Sequence, residues 1–216
     1  MLLSKILLVL LTLFSCKSHT SKTHVPDYNF ILKNEEYKMI LLDLNDEKKL
    51  TEIKQMFVDI FFESYKKQNF VFEIEETEDK FKARMLKNII NDIEYAKKLN
   101  NNSKFYTIDH NKKTIGFIIL EDISSGHSQY NGTQRLHIRQ LLFTSEYQNK
   151  GLGYAIMKQA HILYPYNNIF VLDTRIKNKL AIKSYQRMGF KNIKTVDPEL
   201  DSNLYAGYEK IWDKDN

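Results

Sequence analysis

The stretch LLFTSEYQNKGLG, residues 141–153, decides the fold. An apolar run typical of a strand ends in a polar turn, and Gly151 and Gly153 then open a helical pattern that stops before Pro165. Glycines let the main chain approach a phosphate without an intervening Cβ, and the N–H groups and dipole of a helix start attract anions. The stretch therefore predicts a phosphate-binding turn between a strand and a helix.

Two other phosphate-binding patterns fit this turn less well. A P-loop requires Lys followed by Ser or Thr after its second conserved glycine, whereas Tyr154 and Ala155 follow Gly153. The dinucleotide-binding pattern requires a third glycine where Ile156 stands. Because two glycines alone are also compatible with an ordinary turn, the surrounding residues decide the interpretation.

The remaining chain has the periodicity of a mixed α/β domain. Apolar runs and alternation predict strands at 39–44, 105–109, 114–121, 136–143, 168–173, 190–196 and 205–212. Three- and four-residue spacing predicts helices at 50–64, 81–96, 152–164 and 178–188. This order predicts one mixed sheet with helices on both faces.

Two separate patterns resemble the GNAT superfamily, the acyl-CoA-dependent N-acetyltransferases. The first is the family signature Gln/Arg-x-x-Gly-x-Gly/Ala, which is matched by Gln148, Gly151 and Gly153. The second is Asn-x-x-Ala-x-x-x-Tyr-x-x-x-Gly-Phe, which is matched by Asn178, Ala181, Tyr185, Gly189 and Phe190. The resemblance implies a single α+β domain over 38–213, with a mostly antiparallel sheet of about seven strands flanked by about four helices.

The resemblance also implies acetyl-CoA as acyl donor and no metal. It implies that the CoA diphosphate binds main-chain amides from Gln148, Asn149, Lys150, Gly151, Leu152 and Gly153. The pantetheine arm would bond the main chain near Leu142 and Phe143, and Asn178 would contact the cofactor. The alternatives are a solvated Lys150 and an Asn178 that only caps a helix.

For catalysis, the resemblance implies that Tyr185 is the general acid for the departing CoA thiolate. The alternative is a core tyrosine. His137 stands where some members carry a glutamate, so it is the candidate base, acting directly or through water. The alternative is a strand histidine satisfied by a backbone partner. The two-residue period of a strand puts Arg139 on the same face as His137.

The acceptor is expected to be a primary amine of a small molecule or a protein. An acidic run precedes the second helix and would attract a cationic substrate; it comprises Glu73, Glu75, Glu76, Glu78 and Asp79. The alternative is a solvated helix start, where acids favour the N-terminal dipole.

The N-terminus has the layout of a secretory signal. Lys5 precedes the apolar run ILLVLLTLF at 6–14, which is shorter than the roughly 20 apolar residues of a spanning helix. The following Ser15-Cys16 resembles the end of a bacterial lipoprotein box. We therefore expect a signal peptide at 1–15, lipidation at Cys16, a polar tether at 16–37 and a membrane-anchored or exported protein. The alternative is a cytoplasmic protein with an apolar extension.

Composition limits the remaining functions. The net charge of +5, from 32 basic and 27 acidic residues, does not indicate nucleic-acid binding, and membrane contact is expected only through the leader or its lipid. The single cysteine rules out a cysteine zinc cluster and, once lipidated, an enzyme thioester. Because acetyl-CoA is not expected outside the cytoplasm, a non-catalytic acyl-CoA-binding or ligand-binding lipoprotein on the same fold is the second hypothesis. The sequence carries no indication of oligomeric state.

Overall fold

The computed structural model describes residues 27–67, 77–99, 102–124 and 134–212. Within them lie four α-helices and eight strands. The helices are α1 (Glu47–Lys67), α2 (Glu78–Leu99), α3 (Leu152–Leu163) and α4 (Lys179–Arg187). The strands are β1 (Tyr28–Leu32), β2 (Glu35–Leu41), β3 (Ser103–His110), β4 (Lys113–Asp122), β5 (Arg135–Phe143), β6 (Ile169–Arg175), β7 (Lys191–Ile193) and β8 (Tyr205–Ile211).

The strands form one sheet in the order β1-β2-β3-β4-β5-β6-β8-β7. Every neighbouring pair is antiparallel except β5 and β6, which are parallel. The expected mixed, mostly antiparallel sheet with four helices is confirmed. It has eight strands rather than about seven.

The additional strand, β1, lies where the sequence suggested a tether. β1 and β2 form a hairpin whose turn residues Lys33 and Asn34 have φ of 52° and 68°. The inner residues Tyr28, Phe30 and Leu32 pack on the core, so the folded sheet already begins before residue 38. The expected signal peptide, Cys16 and the tether up to residue 26 lie outside the described residues.

Each face of the sheet carries its own apolar core. α1 and α2 cover one face, where Phe57 and Phe81 pack with Phe117. α3 covers the other through residues such as Ile156, and α4 packs on that face through Tyr185. The middle strand β4 is buried along nearly its whole length, because both of its faces are covered.

β7 is shorter than the strand expected at 190–196. At Gly207 of β8, an added Cβ would come within 2.0 Å of the Lys194 carbonyl oxygen, so the main chain after β7 approaches β8 very closely there. Beyond this point Val196 leaves the ladder, and its amide donates to the Asp173 carboxylate at 2.8 Å. The chain is thereby drawn over the end of β6.

The parallel pair β5 and β6 is joined over a short distance only. Residues 135–137 pair with residues 169–171, and no register continues beyond His137 and Val171. β5 also carries a bulge opposite β4, between the pairs formed by Ile119 and Leu120, so Arg139 is the extra residue. The two strands therefore part in the middle of the sheet.

None of the four described helices meets the length and apolarity that crossing a bilayer requires.

Candidate active site

A cleft of about 700 Å³ opens where β5 and β6 part. Its walls come from β5, β6, the turn before α3, and the helices α1, α2 and α4. The cleft brings together most of the site residues expected from sequence. These are His137, Leu142, Phe143, Gln148, Asn149, Gly151, Leu152, Gly153, Asn178 and Tyr185. Lys150 lies at a separate small pocket beside Lys33 and Tyr37.

The turn before α3 has the main-chain geometry of an anion site. Asn149 and Gly151 have positive φ, 61° and 89°, which turns the chain sharply into the helix. The Ala155 amide donates to the Gly151 carbonyl at 3.3 Å. The amides of Leu152, Gly153 and Tyr154 precede this hydrogen bond and have no acceptor within the helix. The turn thus presents successive N–H groups at the positive end of α3.

Gln148 has a role that its place in the family signature did not reveal. Its side-chain Nε2 donates to the Phe143 carbonyl at 2.9 Å and ties the turn to the end of β5. Lys150 is exposed, and its Nζ lies 5.1 Å from the centre of the Tyr147 ring. This contact keeps the cation next to the turn.

The main-chain groups of β5 alternate between β4 and the cleft. The Thr144 amide donates to the Ile115 carbonyl of β4 at 2.9 Å. By strand alternation the polar groups of Leu142 also point to β4, whereas those of Leu141 and Phe143 point to the cleft. Leu141 was not among the sequence candidates, because the register of the ladder cannot be read from the sequence.

Tyr185 of α4 lines the same cleft and is half-buried. Its ring packs at 5.8 Å from Phe190 and 6.3 Å from Tyr208. Burial raises the pKa of the Tyr185 hydroxyl to about 12. The raised pKa keeps this hydroxyl protonated at neutral pH. In the described part of the chain it has no hydrogen-bond partner, so it is available as a donor.

Asn178 caps α4. Its side-chain oxygen accepts from the Ala181 amide at 3.3 Å. The capping alternative is therefore confirmed. Asn178 also lines the cleft, and contact with the cofactor stays a prediction.

His137 is buried between two carboxylates. Its Nδ1 lies 3.9 Å from Glu121 Oε2, and its Nε2 lies 4.0 Å from Asp173 Oδ2. Asp173 also accepts from the amides of Val196 and Asp197, and burial raises its pKa. Such an arrangement stabilises an imidazolium formed when the histidine accepts a proton. Neither carboxylate was a sequence candidate, although Asp173 directly follows an apolar strand.

Arg139 forms the centre of a neighbouring ion network. It bonds Glu121 and Asp92, both at 3.1 Å, and Tyr95 donates to Glu121 at 2.9 Å. Arg139 shares the His137 side of β5, as expected. The bulge also lets the adjacent Gln140 approach the Asp92 carboxylate, at 3.4 Å. This network fixes Glu121 beside His137.

The acidic run expected near the acceptor side is only partly described. Glu73, Glu75 and Glu76 lie outside the described residues. Glu78 and Asp79 are exposed in the first turn of α2, and Glu78 pairs with Lys66 at 3.0 Å. In the described ranges, no three His, Cys, Asp or Glu side chains gather as metal ligands would.

Comparison with known proteins identifies the family of this chain. The model of the Acetyltransferase (GNAT) family matches residues 50–190, and the chain belongs to this family. No curated protein matches the chain.

Solved structures share the fold at low sequence identity. The paiA N-acetyltransferase of Thermoplasma acidophilum, solved with coenzyme A, is 16% identical with a TM-score of 0.59 and covers 82% of this chain and 99% of its own. A GNAT acetyltransferase from Staphylococcus aureus is 18% identical with a TM-score of 0.56, covering 82% and 99%. The spermidine N-acetyltransferase of Vibrio cholerae, solved with CoA and spermine, is 17% identical with a TM-score of 0.51, covering 81% and 95%.

Proposed function

We propose that this protein transfers an acetyl group from acetyl-CoA to a primary amine of a small molecule or a protein. The observation that carries the proposal is that one cleft contains three elements: the amide-rich turn at 148–153, the cleft-facing main chain of β5, and the Tyr185 hydroxyl. The coenzyme A in two of the similar structures supports acetyl-CoA as the donor.

In the proposed complex the turn amides hold the diphosphate, and the pantetheine arm extends along Leu141 and Phe143 of β5. This arrangement brings the thioester towards the point where β5 and β6 part, near His137 and Tyr185. The pantetheine arm would hydrogen-bond the main chain of β5 as an additional strand of the sheet does.

In the chemical step the amine nitrogen forms a bond to the acetyl carbon, and the carbon–sulfur bond breaks. His137 accepts the proton that the amine loses, directly or through water, and Glu121 and Asp173 stabilise the resulting imidazolium. Tyr185 donates a hydrogen bond to the sulfur as negative charge develops. Since its pKa of about 12 exceeds the roughly 8.5 of an ordinary thiol, full proton transfer from Tyr185 is uphill and hydrogen bonding is its main contribution.

Thiol release from acetyl-CoA by the purified full-length protein, measured against a panel of amines and peptide amines, tests this function. Tyr185→Phe should lower kcat/KM by about 100-fold, the lower range of contributions from a positioned acid or base. Tyr166→Phe is the matched control, because Tyr166 is 76% exposed and outside the cleft. Acetyl-CoA binding without transfer to any amine would favour the second hypothesis, a non-catalytic acyl-CoA-binding or ligand-binding lipoprotein.

We also propose that residues 1–15 act as a signal peptide and that Cys16 carries the lipid anchor. The support is the order of Lys5, the apolar run and Ser15-Cys16 in the sequence. Metabolic labelling with a fatty acid should mark the wild-type chain and not Cys16→Ser. An unlabelled wild-type chain that fractionates with the cytoplasm would refute the anchor.

A further inference from the structure

Arg175 ends β6 inside the cleft, and aromatic groups hold its side chain in place. Its Nε donates to the Tyr205 hydroxyl at 3.1 Å. Its guanidinium carbon lies 5.5 Å from the centre of the Tyr205 ring and 5.9 Å from that of Tyr65 on α1. Both distances fall within the range of cation–π attraction. The half-buried guanidinium is therefore fixed by strand, helix and ring contacts before any substrate binds.

In the described part of the chain, Arg175 forms no ion pair with a carboxylate. The nearby acids that line the cleft already accept other hydrogen bonds. Asp173 accepts from the amides of Val196 and Asp197, and Asp197 accepts from the Glu199 amide. A partly desolvated guanidinium is stabilised by an anion that its two terminal nitrogens bind side by side.

Arg175 lies on the same side of the cleft as the candidate base His137, and Asp173 lies between them. Asp173 and Arg175 lie on the same side of β6, two residues apart, which corresponds to about 6.6 Å along the strand. Asp173 is in turn 4.0 Å from His137. His137 and Arg175 line the same cleft, so a single acceptor molecule can contact the two residues with different groups.

We infer that the acetyl acceptor is an amine that also carries a carboxylate, of the amino-acid class, and that Arg175 binds this carboxylate. The inference rests on the proposed function and specifies its substrate. Arg139 also lines the cleft, but Asp92 and Glu121 already neutralise it, whereas Arg175 has no carboxylate partner among the described residues. A cation in this position favours an acceptor with an anionic group and disfavours a polyamine, whose charge is only positive.

Matched pairs of acceptors test the inference. Each common amino acid is compared with the amine that remains when its carboxylate is removed, in acetyl transfer from radiolabelled acetyl-CoA. We expect kcat/KM for at least one amino acid to exceed that of its matched amine by about 10- to 100-fold, the range of a hydrogen bond to a charged group. In Arg175→Gln this preference should disappear because KM for the amino acid rises, while transfer to the matched amine continues. Arg175→Lys should retain part of the preference.

Lys177→Gln is the control, because Lys177 is an exposed cation two residues away that does not line the cleft. It should keep the wild-type preference. Transfer to plain amines with no preference for the carboxylate, or a preference unchanged in Arg175→Gln, would overturn the inference and leave the proposed function standing. No transfer to either set would overturn both.

Discussion

His137 and Asp173 lie side by side where β5 and β6 separate, with 4.0 Å between imidazole Nε2 and carboxylate Oδ2. The two residues come from different strands, and only the parting of those strands lets the cleft reach both of them. The carboxylate is itself held by two backbone amides from the segment after β7. The site therefore contains a histidine with a positioned carboxyl group beside it.

Replacement of Asp173 tests whether this charge supports the base. In Asp173→Asn the imidazolium loses a stabilising carboxylate, so we expect kcat/KM to fall by about 10-fold and the acid limb of its pH profile to move to lower pH. The measurement is kcat/KM against pH with one acetylated amine. Asp201→Asn is the control, since Asp201 is an exposed acid that also accepts a backbone amide. An unshifted acid limb in Asp173→Asn would argue against His137 as the base.

The two glycines of the turn should respond differently to alanine. Gly151 has φ of 89°, so Gly151→Ala should cost about 1–2 kcal/mol in the free energy of unfolding and weaken CoA binding. At Gly153 the nearest atoms to an added Cβ are 3.9 Å away, so Gly153→Ala should be neutral or stabilising and retain CoA binding. Denaturant unfolding and calorimetry with CoA measure both effects. Equal losses in the two variants would contradict this account of the turn.

The ion network around Arg139 should matter for stability. Arg139→Met leaves Asp92 and Glu121 buried without their cation, so we expect a loss of about 3–5 kcal/mol at pH 7. Burial already raises the pKa of Asp92, despite the nearby Arg139. The loss should therefore shrink as the pH falls and the carboxylates take up protons. Urea unfolding at several pH values measures this, with the exposed Arg187→Met expected to change stability by about 0.5 kcal/mol or less.

Alkaline titration of wild type against Tyr185→Phe should report the burial of the Tyr185 hydroxyl. Its folded-state pKa of about 12 lies above the roughly 10 of an unfolded tyrosine, so the folded protein retains this proton longer. The corresponding stability is complete below pH 10 and is lost as the pH rises towards 12. Ultraviolet difference spectra of wild type against Tyr185→Phe should show tyrosinate near pH 12. In addition, the variant should lose less stability than wild type across this window. A tyrosinate signal near pH 10 would contradict the burial of this hydroxyl.

Long periodic segments and the two family patterns made most of the fold predictable. The helices over 47–67 and 78–99 bury residues at three- and four-residue spacing, and the strand before the turn at 148–153 ends in an obvious polar break. β1 was missed because it is a five-residue strand in a polar neighbourhood. β7 is shorter than predicted because the Asp173 carboxylate, rather than a strand, takes the amides of Val196 and Asp197.

The site was predictable where one short segment supplies it. Gly151 and Tyr185 each lie in a local pattern that can be read from the chain. Glu121 and Asp173 become neighbours of His137 only through the pairing of β4 with β5 and of β5 with β6. Arg175 reaches the cleft through its contacts with Tyr65 and Tyr205. Such long-range contacts depend on sheet order and register, which local sequence does not encode.

The parting of β5 from β6 creates an edge inside the sheet, and unpaired strand edges ordinarily invite association with other chains. Here the surrounding helices α1, α2 and α4 wall the gap on both sides. The gap between the two strands is therefore an internal edge that the protein's own helices cover.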